Sequence, residues 1–242
     1  MKRQQDMRIN DPQAYRTMRE DDLLAEMLDL KAKRLLELGC GAAHMTRLLA
    51  ERFDPREIVA TEVDQIQHEK NLAAAQLLPV SFRLGGAEDI ADPDRSYDLV
   101  LMFKSLHHVR RDLMDRALQE IHRVLKPGGM AWFSEPVYWG PFNDLLRLVH
   151  DEREVREAAF AALKGAIGSG LFELEVEVFF QVPGVYETWE VFEDCFLNIT
   201  HTELDIDPDR RDQVRHAFER HLTPDGAHFL KPHRSDLLRK PG

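Results

Sequence analysis

Between residues 34 and 134, short apolar runs alternate with longer segments whose apolar positions recur at helical spacing. Arg34–Leu38, Glu57–Thr61, Val80–Leu84, Tyr97–Met102 and Met130–Ser134 read as buried strands. His44–Phe53, Gln65–Leu78 and Arg111–Leu125 read as helices, the last with Leu113, Met114, Ala117, Leu118, Ile121 and Leu125 on one face. Asp54-Pro55, Pro79 and Lys126-Pro127-Gly128-Gly129 punctuate the pattern. This alternation predicts a mainly parallel sheet covered by helices, with ligands bound beyond the carboxyl ends of the strands.

The flanks are less regular. Residues 11–29 are predicted to be one helix, with Asp11-Pro12 as cap and first turn and Leu23, Leu24, Met27 and Leu28 as its stripe. Phe142–Ile167 reads as an amphipathic helix. Leu171–Val182 sets Leu174, Val176 and Val178 against Glu173, Glu175 and Glu177, the pattern of a strand with one solvated side. Helices are expected over Tyr186–Leu197 and Pro208–Leu222, and a last strand over His228–Leu238. His150-Asp151-Glu152 reads as a solvated helix face.

Composition narrows the function. The 242 residues suffice for one sizeable core with a small cap. No apolar run reaches the roughly 18 residues of a membrane span, and Met1–Asp6 lead into polar sequence without the apolar centre of a signal peptide. A cytoplasmic location with no membrane partner is expected. A net charge of −11 opposes a nucleic-acid partner, since its mean field repels a phosphate backbone. Cys40 and Cys195 lie too far apart in sequence for a disulfide framework or a metal-ligand spacing.

The candidate chemistry lies at the strand ends. Glu37-Leu38-Gly39-Cys40-Gly41-Ala42-Ala43 joins the first strand of the alternation to a helix, where glycines permit a tight turn and close backbone approach to a ligand. Glu62 ends the next strand, and a carboxylate there can accept from both hydroxyls of a ribose. On these residues alone, a nicotinamide dinucleotide and an adenosine-bearing methyl donor both remain open.

An ordered set of motifs resembles the class I S-adenosylmethionine-dependent methyltransferase family. It comprises Glu37-Leu38-Gly39-Cys40-Gly41, Glu62, Gly86-Ala87-Glu88-Asp89, Tyr97-Asp98-Leu99-Val100, Leu106-His107-His108-Val109 and Arg123-Val124-Leu125-Lys126-Pro127-Gly128-Gly129. The resemblance covers roughly residues 30–137 and implies a Rossmann-like α/β fold. That fold has a seven-stranded, mainly parallel sheet with helices on both faces, an antiparallel last strand, and here a helical insertion at 186–222 between strands six and seven. The expected organisation is a single methyltransferase domain: a helical cap at 1–29, a donor-binding core at 30–137, a substrate-side region at 138–222 and a final strand at 223–242. Two positions depart from the family pattern: Ala43 stands where many members have a third glycine, and Gly86 where many have an aspartate.

The resemblance implies S-adenosylmethionine as donor and a small-molecule acceptor. Gly39 and Gly41 would lie under the donor's amino-acid portion, with Glu37 orienting its ammonium group. Glu62 would hold the ribose and Val63 one adenine face. Gly86, Ala87 and Glu88 would approach the adenine edge, and main chain at Phe103 the sulfonium side. Charge matching adds Tyr15 and Arg19, on the first helix, and Lys104 as partners of the donor carboxylate; Lys104 is alternatively a partner of an acidic substrate. His107, His108 and Tyr138 are the candidates nearest the reacting methyl group. Adjacent histidines can bind metal, but no cysteine or carboxylate near them in sequence completes a site, and none is expected. The aromatic segment Tyr138-Trp139-Gly140-Pro141-Phe142 could line an acceptor site, with Phe179, Phe180, Tyr186, Trp189 and Phe192 either joining that wall or filling a core of their own. The insertion would form a substrate-facing cap, cover the sheet edge or make a homodimer contact. Other transfer from an S-adenosylmethionine-derived donor, tRNA or protein methylation, and donor binding without catalysis are the competing readings.

Overall fold

A computed structural model of the chain describes residues 7–74, 79–198 and 206–242. Seven strands make the body of one sheet: β2 (Arg34–Leu38), β3 (Glu57–Glu62), β4 (Val80–Leu84), β5 (Tyr97–Phe103), β6 (Leu125–Pro136), β7 (Glu173–Tyr186) and β9 (Gly226–Arg239). Their spatial order is β7-β9-β6-β5-β2-β3-β4, with two-residue strands β1 (Arg16–Thr17) beside β7 and β8 (Leu222–Thr223) beside β9. Neighbours from β6 to β4 are parallel, whereas β9 runs antiparallel to both β6 and β7. This is the expected sheet, with its antiparallel last strand between the fifth and sixth long parallel ones.

The period of two explains how one sheet serves two cores. Leu36, Leu38, Val59, Val100, Met102, Ala131 and Phe133 pack on one face with α4 (Met114–Val124) and α6 (Arg153–Gly168). Leu35, Ile58, Leu99, Leu101, Trp132 and Leu237 pack on the other with α1 (Glu20–Met27) and α2 (His44–Phe53). The remaining helices are α3 (Gln65–Ala73), α5 (Pro141–Leu146), α7 (Trp189–Phe196) and α8 (Pro208–Glu219). The predicted continuation of the third helix over 75–78 lies outside the described residues, as does part of the insertion, 199–205.

Three expectations need correction. The single helix over 11–29 is instead a turn, the short strand β1 and α1. The Ala14 amide donates to the Asp11 carbonyl, closing a turn there, and Arg16–Thr17 pair with Phe180–Gln181 at the edge of β7. Backbone groups that a helix would have satisfied are thus taken up by the sheet. Phe142–Ile167 is two helices, broken at 147–152, where Asp151 accepts from the Arg153 amide as α6 begins. Tyr186 ends β7 rather than opening a helix.

The insertion carries its own core. Tyr186, Trp189, Phe192, Leu197, Val214, Phe218 and Phe229 bury against Leu145 of α5. β7 and β9 run beyond the end of β6 as a two-stranded hairpin, pairing Val182 with Lys231 and Tyr186 with Ala227, and α7 and α8 pack around that extension.

Candidate active site

The turn after β2 is fixed by backbone geometry. Gly39 adopts φ +72°, and a Cβ there would come within 2.8 Å of Ser105 Cβ. Ser105 in turn donates through its hydroxyl to the Leu38 carbonyl at 2.8 Å, tying the end of β5 to the end of β2. Ala43 supplies the left-handed conformation, φ 57°, that starts α2, so alanine at the third position does not break the turn.

Glu62 closes this turn from β3. Its Oε2 accepts from the Gly41 amide at 2.7 Å, and its Oε1 from the Val63 and Asp64 amides at 2.8 and 3.0 Å. An ionised carboxylate has about four acceptor sites, and the Gly41 bond places this one against the glycine turn. Val63, Ile66 and Leu84 form an unusually exposed apolar group beside it, at 67, 64 and 53% exposure. Ala87 is buried, and the Glu88 carboxyl folds back over Gly86, 2.5 Å from where a Cβ would sit.

Glu37 is buried beneath the turn and accepts from the Thr46 hydroxyl at 2.6 Å. Burial pushes its pKa up to about 7, against the opposing hydrogen bond from Thr46. The donor set therefore fits an adenosine-bearing sulfonium: a glycine turn open to backbone approach, a carboxylate at the ribose position, a buried acid under the turn and an exposed apolar ledge.

At the end of β5 lies a cavity of about 800 Å³, lined by Met45, Val137, Phe142, Leu146 and Phe196 together with His107, Lys104 and Lys231. Lys104 follows the strand with φ 56° and pairs with the buried Glu20. Burial alone would raise the Glu20 pKa, but Lys104 outweighs it and holds the carboxyl below the usual range.

His107 is the most tightly held ring in the cavity wall. Its Nδ1 donates to Glu135 Oε2, while Glu135 Oε1 accepts from the Leu106 amide at 2.9 Å. Its Nε2 faces Glu152 Oε1 at 3.7 Å, and His150 Nε2 lies 3.2 Å from the same oxygen. Arg156 holds the other oxygen of Glu152. Burial opposes charge on His107, but Glu135 and then Glu152 prevail and push its pKa up to about 9. His233, also in the cavity wall, is the converse case. Its Nδ1 donates to the Lys231 carbonyl, and burial, reinforced by Lys104, lowers its pKa to about 4.

Glu152 changes the reading of the paired histidines. The presumed solvated face, 45 residues away in sequence, supplies a carboxylate. His107, His108 and Glu152 offer ligand atoms within 4.8 Å of one another. Glu152 is already engaged by Arg156, so the group is also complete as an ion-pair network.

Other candidates separate. His108 is exposed at the cavity wall, its ring 4.1 Å from that of His107. Tyr138 does not line the cavity; Arg153 lies over its ring. Tyr15 is not on a helix: its ring stacks on Trp139 at 5.3 Å and its hydroxyl donates to Asn10. Arg19 sits at the N-cap of α1, mostly exposed, pairing with Asp21 at the cavity mouth. Phe142 lines the cavity, whereas Tyr186, Trp189 and Phe192 fill the core of the insertion. Sequence reasoning missed Glu20, Glu135, Lys231 and His233; of these, Glu135 was findable, since it stands at the carboxyl end of a predicted strand.

Comparison with known proteins agrees with this geometry. Residues 35–129 match the family described as a methyltransferase domain. A fatty-acid O-methyltransferase of Mycolicibacterium smegmatis is 31% identical over 116 residues, covering 46% of this chain and 40% of that protein. A demethylmenaquinone methyltransferase of Symbiobacterium thermophilum is 26% identical over 174 residues, covering 64% of this chain and 68% of that protein. The chain thus spans about two fifths of the first relative and about two thirds of the second. The YcgJ protein of Bacillus subtilis has a similar fold, with a TM-score of 0.64 at 19% identity over 91% of this chain and 97% of that one. Residues 35–129 thus match a methyltransferase domain, and the whole chain has the Rossmann-like sheet of the class I S-adenosylmethionine-dependent methyltransferases. That match implies S-adenosylmethionine as cofactor, and among the described residues no helix is long and apolar enough to cross a membrane.

Proposed function

We propose that this chain transfers the methyl group of S-adenosylmethionine to a small, largely apolar acceptor seated in the cavity beside β5. The observation that carries this reading is the placement of that cavity. It adjoins the strand end next to the glycine turn and is walled by aliphatic and aromatic side chains on α2, α5 and α7. The bound donor supplies an already activated methyl carbon, so the protein's task is chiefly placement and exclusion of water.

Glu62 would hold the ribose hydroxyls, Val63 one adenine face and Ala87 the adenine edge. Glu37 would face the ammonium group from below the turn. Glu20 Oε1, buried without a hydrogen-bond partner among the described residues, is a second acceptor on that side. Tyr15 is set aside from donor binding, because its ring and hydroxyl are already engaged elsewhere. Arg19 and Lys104 remain at the cavity mouth, each already held by an acid of the chain, Asp21 and Glu20.

Where the acceptor arrives protonated, His108 is the side chain placed to take its proton. His107 already carries one, held by Glu135, and so serves to position the wall. Tyr138, outside the cavity lining, is set aside from the chemistry. The two relatives support the acceptor class, since a fatty acid and demethylmenaquinone are both extended apolar molecules.

The test is calorimetric titration of S-adenosylmethionine, followed by transfer of a labelled methyl group to a panel of apolar hydroxyl, amine and carboxyl compounds. Donor binding with turnover of at least one class is expected. Absence of donor heat would remove the proposal. Donor binding with transfer only to tRNA or a peptide would redirect it.

A further inference from the structure

Among the described residues, Lys231 is a cation without an anion. It sits on β9 where the β7–β9 hairpin has passed the end of β6, and it lines the cavity. Its ammonium lies 5.6 Å from the centre of the Phe142 ring and 5.9 Å from that of Tyr186, and it donates to the Tyr186 hydroxyl at 3.3 Å. Among the described residues no carboxylate lies within ion-pair distance of it. Burial, and then the like charge of Lys104, lower its pKa from the ordinary lysine value.

An ion taken out of water is costly unless it is paired. Cation–π contacts offset only part of that cost. The other cations of the cavity are all paired: Lys104 with Glu20, Arg19 with Asp21, Arg156 with Glu152. Lys231 alone among these described cations keeps its charge facing the cavity. In the sheet, β9 is three strands from the glycine turn on β2, roughly 14 Å at the usual strand spacing. The lysine is therefore set apart from the glycine turn, on the β9 side of the cavity.

We infer that Lys231 is the anchoring point of the acceptor, and that the acceptor is an apolar molecule bearing a carboxylate at the end away from its methyl-accepting atom. This rests on the methyl transfer proposed above. A carboxylate suits the site better than a phosphate monoester. The site presents one ammonium beside the Phe142 ring, and the guanidinium groups of the cavity, Arg19 and Arg156, are already held by Asp21 and Glu152, so it lacks the free fork or row of amides that a dianion with three terminal oxygens calls for.

The experiment uses the whole chain, first titrated with S-adenosylhomocysteine to saturation. Decanoate, 1-decanol and decyl phosphate are then titrated separately into the wild type, K231M and K231R. Decanoate is expected to bind the wild type 10- to 100-fold more tightly than decanol, the range of one charged hydrogen bond. In K231M that preference should vanish with S-adenosylhomocysteine affinity unchanged, and K231R should retain most of it. Because K231M removes a half-buried charge, its unfolding midpoint should not fall.

Equal binding of decanoate and decanol to the wild type would overturn the inference. So would a preference that survives K231M, tighter binding of decyl phosphate than of decanoate, or binding of none of the three. In each case S-adenosylhomocysteine heat would leave the methyltransferase reading standing. Absence of that heat would remove both.

Discussion

Glu135, near the end of β6, takes the Nδ1 proton of His107 on one oxygen and the Leu106 amide on the other. One buried carboxylate thus fixes both the turn after β5 and the ring that this turn carries. Strand pairing brings the two together: Phe103 of β5 lies opposite Ser134, so the residues following each strand emerge side by side.

The ion pair makes stability depend on pH in a set direction. The pKa of His107 is raised in the fold, from 6.5 to about 9. Its contribution is therefore fully present below 6.5 and lost as pH rises through 9. The thermal midpoint of the wild type should fall across that window, and that of H107Q should change less. Removing one partner of a buried pair costs about 3–5 kcal/mol, so at pH 6.5 the variant should melt on the order of 10 °C lower. Parallel pH curves for the two proteins would mean that the pair is not formed in solution.

Glu37 gives a second, independent proton signal. A carboxyl with pKa about 7 is roughly half protonated at neutral pH. A donor ammonium above it favours the ionised form, so binding should release about half a proton at pH 7. Calorimetry in buffers of different ionisation enthalpy measures this directly. E37Q should release none and bind S-adenosylmethionine more weakly. Because the Glu37 pKa is raised, its stability contribution is present below 4.5 and lost as pH rises through 7, so E37Q should also be the less pH-sensitive protein there. Identical proton release from E37Q would place the titrating group elsewhere.

Glu62→Ala removes the proposed ribose acceptor and also strips three amides, of Gly41, Val63 and Asp64, of their partner. A hydrogen bond to a charged group is worth about 1.5–3 kcal/mol, so affinity for S-adenosylhomocysteine should fall about 10- to 100-fold. A dissociation constant equal to that of the wild type would exclude Glu62 from the site.

The two glycines of the turn should respond unequally to alanine. Both have positive φ, but a Cβ on Gly39 meets Ser105 at 2.8 Å, whereas a Cβ on Gly41 meets nothing within 4 Å. Gly41→Ala should cost about 1 kcal/mol and Gly39→Ala about 3, the low and high ends for a residue forced into strained backbone. Urea unfolding of both variants measures the difference. Equal losses would show that Ser105 yields freely.

Much of this was legible along the chain. The bounds of β2, α2 and β4 follow from local apolar runs ended by Gly or Pro, where period and punctuation agree. Glu62 and the glycine turn were legible because both lie within a few residues of a strand end. What the pattern did not carry was contact between distant segments. Residues 11–18 have helical-looking spacing, yet the free edge of β7 recruits them, and no local propensity encodes that edge. Glu152 sits among solvated acids in sequence, and only the packing of α6 against the turn after β5 turns it toward His107. Lys231 reads as one charge in an alternating strand; its isolation follows from Phe142 and Tyr186, which arrive from two other elements.

The position of β9 also bears on how the molecule is made. Residues 226–239 fill the gap between β6 and β7, so the hydrogen-bonding edge of β6 stays bare while some ninety intervening residues leave the ribosome. Strands β2 to β6 are all synthesised by residue 136, whereas the proposed acceptor wall waits for residues 226–239. A nascent or truncated chain lacking those residues would expose a sticky strand, with the glycine turn in place and nowhere to seat a second substrate.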